Sequence, residues 1–439
     1  MKILKIRDSL CLMILLLSFF LILPCPGVLK GADIPSAEDV AFLKAKLPTI
    51  EELTDGKVKT GDMIDKGNMH LVKEFLSEGQ IACMNLGMKM IMGKQIEPFE
   101  GMPRNYREAT EKNRGKAVMD ESGKVLVWYE KKGQLWPAGL PFPEPKTGKE
   151  IMANTKFGTP QNDYAMRGWM DYINKNGKRY KQSAYWGYFI WMNTRESGPH
   201  VVKGYEDQMY RKVTCFLSPI EAKGLGQFVV RHYDDDETYD TGYGYVPAFK
   251  KVMRVSATTW QENVGGTDWT YGDAMGFAEP MAGWDFKYLG TRYILHPEYK
   301  SPFPLVDKRF RPVKELQFDM GEKFPRVGWA IITAHVVEAT PLFKHIYSKK
   351  VVFCNTYPNI RVPDLTPMFD SYDRQGKLWK HMWSIMGDYL EKEHYAAPPG
   401  SIIIDLQSGH STNYWLELRA NNGLKPLDAS MKTLLSTGR

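Results

Sequence analysis

The sequence predicts an α+β fold that is mainly antiparallel β-sheet, preceded by an N-terminal helical and proline-rich extension. Beyond about Tyr180, short runs rich in β-branched and aromatic residues alternate with turn residues. Few amphipathic helices separate these runs, which favours antiparallel pairing over crossover connections and predicts a curved sheet. The predicted strands are residues 183–191, 209–217, 226–233, 239–255, 286–295, 313–319, 326–338, 345–355 and 401–406.

Residues 1–32 have the pattern of an export signal. Lys2, Lys5 and Arg7 precede an apolar run over residues 10–23, which is shorter than the ~20 residues that a spanning helix needs. We expect cleavage between Gly27 and Ala32, with an uncleaved anchor as the alternative. Pro24 argues against lipidation of the cysteine that follows it, because the residue before a lipidated cysteine is normally very small.

The remaining chain divides into a wrapping region over residues 33–150 and a β domain over residues 151–439. The wrapping region carries a predicted helix at 36–47 and a helical region from Asn68 to Gly79. A proline- and glycine-rich stretch begins in it at residue 98 and continues to residue 160 in the β domain. Removing the export signal lowers the formal net charge from +7 to +4, since that segment carries four basic residues and one acidic residue. The basic residues are scattered, so nucleic acid is not an expected partner.

Methionines are concentrated in the stretch that follows the predicted helical region. Met84, Met88 and Met92 are flexible, apolar side chains that adapt to irregular surfaces. We interpret them as a lid over an apolar ligand, with ordinary core packing as the alternative.

Three cysteines remain after signal removal: Cys83, Cys215 and Cys354. An odd number in an oxidising compartment allows at most one internal disulfide bond. The sequence leaves two readings open, three buried thiols or a bond between Cys215 and Cys354.

The sequence contains no motif of a known catalytic or metal site. Its nine histidines form no H-E-x-x-H pair, and no G-x-S-x-G is present. The acidic run at 234–237 lacks the glycine and distal glutamate of an EF-hand, so a solvated turn is expected there. The glycine pairs at 224–226 and 242–244 lack the third glycine of a dinucleotide loop. We therefore predict a protein that is not an enzyme and needs no metal or cofactor.

The pattern of residues 239–255 predicts a long strand with one bulky, aromatic face and one face of small residues. Tyr243, Tyr245 and Phe249 fall on one face, and Gly242 and Gly244 fall on the other, because successive side chains alternate. The bulky face is suited either to a core or to an apolar ligand, and the residues alone do not decide between them.

The stretch from Glu237 to Asp273, which contains this predicted strand, resembles the signature of the outer-membrane lipoprotein-sorting-like (LolA-like) proteins. The shared elements are Asp240, Tyr243, Tyr-Val-Pro-Ala at 245–248, Lys250, Lys251, Arg254 and Gly-Thr-Asp-Trp-Thr-Tyr-Gly-Asp at 266–273. Gly272 stands where the family usually has an acidic residue. Blocks at 138–143, 344–350 and 372–379 agree with the longer branch of that family, whose function is unknown.

The resemblance implies an incomplete barrel covered by helices, with an apolar cavity between them. It implies a periplasmic carrier or chaperone that binds a lipid or a lipoprotein acyl chain and moves it between membranes. The expected partners are an inner-membrane transporter or an outer-membrane receptor, with transient membrane contact. By family position and strand face, the expected ligand-lining residues are Tyr243, Tyr245, Phe249, Trp269 and Trp284. A module for a small hydrophobic or aromatic compound and a ligand-free structural partner are the alternatives.

Overall fold

A computed structural model describes residues 47–95, 97, 102–255, 257–298, 312–359, 367–385, 389–390, 395–396 and 400–437. The predicted export signal lies outside these residues, as does the predicted helix at 36–47 except for its last residue. In the described part of the chain, no helix is long and apolar enough to cross a membrane.

Five short α-helices accompany the sheet in the described ranges. Capping boxes begin the first, second and fourth helices, where Thr49, Ser77 and Thr147 each accept a hydrogen bond from the backbone three residues later. The helices are α1 (Ile50–Leu53), α2 (Glu78–Asn85), α3 (Arg104–Asn113), α4 (Gly148–Phe157) and α5 (Met431–Thr437).

The predicted helical region from Asn68 to Gly79 is wrong in its boundaries. Two separate 3₁₀ turns, Met69–Leu71 and Lys73–Phe75, precede α2, and Gly79 lies inside α2. The Ser77 cap starts a new helix at this point, which the helical spacing before it did not indicate.

The strands, in chain order, are β1 (Met63–Ile64), β2 (Met90–Met92), β3 (Ala117–Met119), β4 (Val127–Tyr129), β5 (Asp163–Ile173), β6 (Arg179–Trp191), β7 (Gln208–Ser218), β8 (Gly226–His232), β9 (Thr241–Val246), β10 (Lys251–Arg254), β11 (Trp284–Pro297), β12 (Phe318–Asp319), β13 (Phe324–Pro325), β14 (Gly328–Pro341), β15 (Lys349–Asn355), β16 (Met368–Tyr372), β17 (Leu378–Ile385), β18 (Tyr389–Leu390), β19 (Tyr395–Ala396), β20 (Gly400–Asp405) and β21 (Ser411–Ala420).

Seventeen of these strands form one large sheet. Its main ladders run in the spatial order β10-β9-β8-β7-β6-β5-β21-β20-β17-β16-β15-β14-β11, and every neighbouring pair in that series is antiparallel. The short β2 adds in parallel at the start of β14. Among the described residues β10 and β11 form no ladder with each other, so the sheet is open. The predicted fold class, mainly antiparallel and incompletely closed with few helices, is confirmed.

The predicted strand at 239–255 is two strands joined by a tight turn. Pro247–Phe249 forms a 3₁₀ turn, Lys250 adopts the left-handed region with φ 49°, and β10 then pairs back on β9. Pro247 fixes its own φ and lacks an N–H, which suits the first position of such a turn. The predicted side-chain alternation therefore holds within β9 and ends at Val246.

Both faces of the central strands are buried. Residues of β14, β15, β17 and β20 contribute to two separate apolar clusters, and along β15, β17 and β20 neighbouring residues alternate between the two. The segment that contains Met84, Met88 and Met92 packs on one face. Helix α4 and residues around Trp136 pack on the other face.

The cysteines are distributed among three clusters. Cys83, Cys354 and Cys215 are all free and buried, each in a different apolar cluster. Of the two readings that the sequence left open, the structure has the three buried thiols.

Candidate ligand-binding cavity

A cavity of about 510 Å³ lies between strands β7–β9 and the segment that connects β10 to β11. We call residues 257–283 of that connection the roof segment, because they line the cavity opposite the sheet. The volume is in the range of small-molecule binding sites. The lining residues are Lys212, Gln227, Val229, Asp235, Asp236, Tyr239, Asp240, Gly242, Val255, Thr259, Trp260, Gln261, Tyr271, Glu279, Pro280, Ala282, Gly283, Phe343 and Lys344.

The small face of β9 provides space for this cavity. Gly242 stands opposite Val229 in the ladder, and a Cβ atom at Gly242 would lie 3.1 Å from Val255 Cβ. Tyr243 and Tyr245 point to the other face of the sheet, where they pack in a cluster with Leu434 of α5. The side of β9 that meets the cavity is therefore the glycine side.

An ion-pair network forms the floor of the cavity. Buried Arg231 donates from Nε to Asp240 Oδ1 at 2.6 Å and from Nη2 to Asp240 Oδ2 at 3.1 Å. Its Nη1 lies 3.4 Å from Asp235, whose other oxygen is 2.5 Å from Lys156 Nζ. Burial acts to lower the pKa of Arg231, but Asp240, Tyr210 and Asp235 outweigh it and raise that pKa. The expected solvated turn at 234–237 is wrong for Asp235, which is buried between two cations.

Lys212 enters the cavity from β7. It belongs to a cross-strand row with Phe189, Val229 and Gly242, so these residues share one face of the sheet. Its Nζ lies 5.6 Å from the centroid of Phe189 and 5.5 Å from that of Trp260. Lys212 is 4% exposed, and burial, helped by Arg231 and opposed by Asp240, lowers its pKa to about 8.

The roof segment is fixed to the sheet behind the cavity by a second buried ion pair. Lys350 Nζ of β15 lies 2.8 Å from Asp273 Oδ1, and both side chains are fully buried. Tyr347 donates its hydroxyl to Asp273 Oδ2 at 2.8 Å. Burial opposes ionisation of Asp273, but Lys350, Lys380 and the hydrogen bonds outweigh it and lower the pKa to about 2.

Three further contacts extend this attachment. Lys380 Nζ donates to the backbone oxygen of Asp268 at 2.7 Å, and Thr412 donates to the Asp268 carboxylate at 2.9 Å. His345 Nε2 lies 3.2 Å from Glu279 Oε1. The roof segment is thus held by residues of β15, β17 and β21 and of the chain just before β15.

No group of histidine, cysteine, aspartate and glutamate residues within the described ranges is arranged to hold a metal ion.

The sequence profile of the family described as "Protein of unknown function (DUF1329)" matches residues 63–431. The chain belongs to this family. No curated protein matches the chain.

Three crystal structures are similar to the chain. A DUF1329 family protein from Desulfovibrio piger has 17% identity and a TM-score of 0.42, over 62% of this chain and 92% of that one. A candidate outer membrane lipoprotein-sorting protein domain from Vibrio parahaemolyticus has 19% identity and a TM-score of 0.41, over 63% and 92%. A LolA superfamily protein from Nitrosomonas europaea has 12% identity and a TM-score of 0.36, over 66% and 100%.

The five aromatic residues expected to line a ligand site do not come together. Tyr243 and Tyr245 pack beside α5, while Trp269 and Trp284 belong to the core that contains α4. Phe249 is 70% exposed at the hairpin turn. None of the five lines the cavity. Their role in ligand binding stays a prediction, and this placement does not favour it.

The expected lid residues Met84, Met88 and Met92 lie in the core on one face of the sheet, fully or almost fully buried. They are not among the residues that line the cavity. The residues that the sequence interpretation missed are Lys212 and Trp260. A lysine inside the apolar run of β7 was the available signal for the first of them.

Proposed function

We propose that this protein is a periplasmic carrier that holds a lipid-like molecule in the cavity under the roof segment and transfers it between membranes. The observation that carries the proposal is a ligand-sized cavity with a largely apolar wall. Its wall includes Val229, Val255, Trp260, Tyr271 and Phe343. Such a wall, combined with a few polar groups, is typical of sites for small amphiphilic molecules.

The rim of the cavity offers a way in for an apolar chain. Tyr239 and Phe343 are 69% and 47% exposed, so aromatic surface extends from the lining to solvent. Each methylene group removed from water contributes about 0.8 kcal/mol, and ten of them about 8 kcal/mol before the costs of association. Burial of a chain of that length is enough for reversible binding, and carriage needs no catalytic group.

The export signal and the resemblance to lipoprotein-sorting-like proteins support a periplasmic location. In that location the proposed carrier receives its cargo from one membrane and delivers it to a transporter or receptor at the other. The division into residues 33–150 and 151–439 is part of the same proposal, with the second part carrying the cavity.

The test is to purify the exported protein without detergent and identify the bound molecules by native mass spectrometry and lipid analysis. We expect a molecule with an acyl chain in wild-type protein. Gly242→Leu fills the cavity from β9 and should remove that molecule. Thr241→Leu is the matched control, because Thr241 is the neighbouring residue and faces the other side of the strand. This control variant should retain the ligand.

Other outcomes would contradict the proposal that this protein carries acyl chains. A bound ring compound would favour the module for a small aromatic molecule. An empty wild-type protein that also fails to take up added lipid would favour a ligand-free structural partner. Equal loss of ligand in both variants would show that the cavity under the roof segment is not the site.

A further inference from the structure

Lys212 differs from the other buried lysines of the described chain. Lys323 donates to two backbone oxygens, Lys350 pairs with Asp273, and Lys380 donates to the oxygen of Asp268. Within the described residues, Lys212 has aromatic contacts but no hydrogen bond or ion pair. Because Lys212 lines the cavity, water or a molecule bound in the cavity is what can hydrogen-bond its ammonium group.

The neighbouring carboxylates are already engaged elsewhere. Arg231 takes both oxygens of Asp240, and Lys156 and Arg231 together take Asp235. These four residues form a balanced set of two cations and two anions. Lys212 stands outside this set and borders the cavity, whose lining also includes the carboxylates of Asp236 and Glu279 and the exposed Lys344.

The aromatic rings on either side keep the ammonium group of Lys212 in this position. Phe189 comes from β6 and Trp260 from the roof segment, both within the range of cation–π attraction. Trp260 also stacks against Arg231, with Cζ 4.8 Å from the ring centroid. The cation is therefore held at the polar end of a cavity whose remaining wall is largely apolar.

We propose that the cargo of this cavity is an anionic amphiphile, whose carboxylate or phosphate group binds Lys212 while its apolar chain lies along the rest of the wall. The inference rests on the proposed carrier function and narrows it to one class of ligand. A charge-assisted hydrogen bond from the ammonium group to that anion would give Lys212 the direct partner that it lacks among the described residues.

The test compares ligands of equal chain length by isothermal titration calorimetry. Dodecanoate and dodecyl phosphate should bind wild-type protein at least about tenfold more tightly than dodecanol, since hydrogen bonds to charged groups are among the stronger ones. Inorganic phosphate alone should bind weakly, because it lacks the chain. If inorganic phosphate bound as tightly as dodecyl phosphate, the apolar chain would not contribute to binding, and the proposal of an amphiphilic ligand would be overturned.

Lys212→Met keeps the length and apolar character of the side chain and removes its charge. We expect it to lose the preference for dodecanoate while keeping the affinity for dodecanol. The matched control is Lys251→Met, on the exposed edge strand β10 and outside the cavity lining. Thermal unfolding of both variants would show that they remain folded.

The preference should also depend on pH. The Lys212 ammonium is charged below about pH 8 and becomes neutral above it, so the advantage of dodecanoate over dodecanol should shrink between about pH 7 and pH 10. A bound anion moves this loss to higher pH, because it favours the charged form. The other ionisable groups at the cavity or its floor are Lys156, Arg231, Asp235, Asp236, Tyr239, Asp240, Tyr271, Glu279 and Lys344.

The outcomes separate the two proposals. If wild-type protein binds none of the amphiphiles, the carrier function fails and this inference fails with it. If dodecanol and dodecanoate bind wild-type protein equally well, the anionic class is wrong. If Lys212→Met keeps the preference for dodecanoate, Lys212 does not bind the anionic group and the inference is wrong. In both cases the carrier function stands.

Discussion

Replacing Lys350 with methionine should destabilise the protein more than replacing any exposed lysine. Lys350 and Asp273 are both fully buried, and their charged atoms are 2.8 Å apart. Removing the lysine leaves a buried carboxylate without its cation, a change that typically costs about 3–5 kcal/mol of unfolding free energy. The low pKa of Asp273, about 2 against a usual 3.8, indicates a net stabilisation on the order of 2 kcal/mol by itself.

The adjacent residue provides a matched control. Lys349 lies 2.7 Å from Glu338, but these two side chains are 36% and 24% exposed. Water screens a pair of this kind, so Lys349→Met should lower the unfolding free energy by less than about 1 kcal/mol. Both variants change an ion-paired lysine of β15 to methionine, and the two ion pairs differ in how deeply they are buried.

Urea unfolding followed by tryptophan fluorescence measures the difference. We expect Lys350→Met to move the midpoint to clearly lower urea concentration and Lys349→Met to leave it nearly unchanged. The double variant Lys350→Met with Asp273→Asn should recover part of the loss, because it removes the unpaired charge and keeps a side-chain oxygen that can accept the hydrogen bonds of Tyr347 and the Thr270 N–H. Equal shifts for the two single variants would refute the reasoning.

Three more predictions concern acid stability, close packing and surface exposure. Because folding lowers the pKa of Asp273, its ionised carboxylate stabilises the folded protein above about pH 4, and this stabilisation is lost as the pH falls towards 2. The difference in unfolding free energy between wild type and Asp273→Asn should therefore close over that range. Urea unfolding measured at a series of acid pH values would show it. Gly79→Ala, which would usually favour a helix by about 1 kcal/mol, should instead lower the melting temperature, since its Cβ would run into Asp370 and His381. Phe249→Ser should change neither the melting temperature nor ligand binding, because Phe249 is exposed and outside the cavity, and a loss of binding would return Phe249 to the ligand site.

The antiparallel sheet could be predicted where strands have one polar face or clear turns at their ends. The sequence of strand β17 is ambiguous, because Leu378, Trp379, Met382 and Trp383 also fit helical spacing. The structure explains the ambiguity: Met382 belongs to the core on one face of the sheet and Trp383 to the core on the other. A strand that is buried on both faces has apolar residues at nearly every position, so its period of two is not visible in the sequence.

The candidate site was harder to predict than the sheet, because what covers each face of a strand depends on residues far away in the sequence. Alternation correctly separated Tyr243 and Tyr245 from Gly242, yet it could not show which face meets a cavity. Helix α5, nearly 200 residues later in the chain, covers the tyrosine face. The sequence therefore predicted two unlike faces, and the structure assigned the core to the bulky one and the cavity to the small one.

The family signature and the candidate ligand site have different physical roles. Asp240, Asp273 and Lys350 all lie in blocks that carry the resemblance, and each is engaged in an ion pair that fixes the roof segment or the floor beneath it. Lys212 and Trp260 are not among the residues that carry the resemblance, and they meet inside the cavity. A sequence that keeps the signature can therefore keep the roof over the sheet while the residues beneath it set the chemistry of the ligand. The signature therefore predicts the presence of a cavity, and the residue at position 212 predicts the charge of the ligand that binds there.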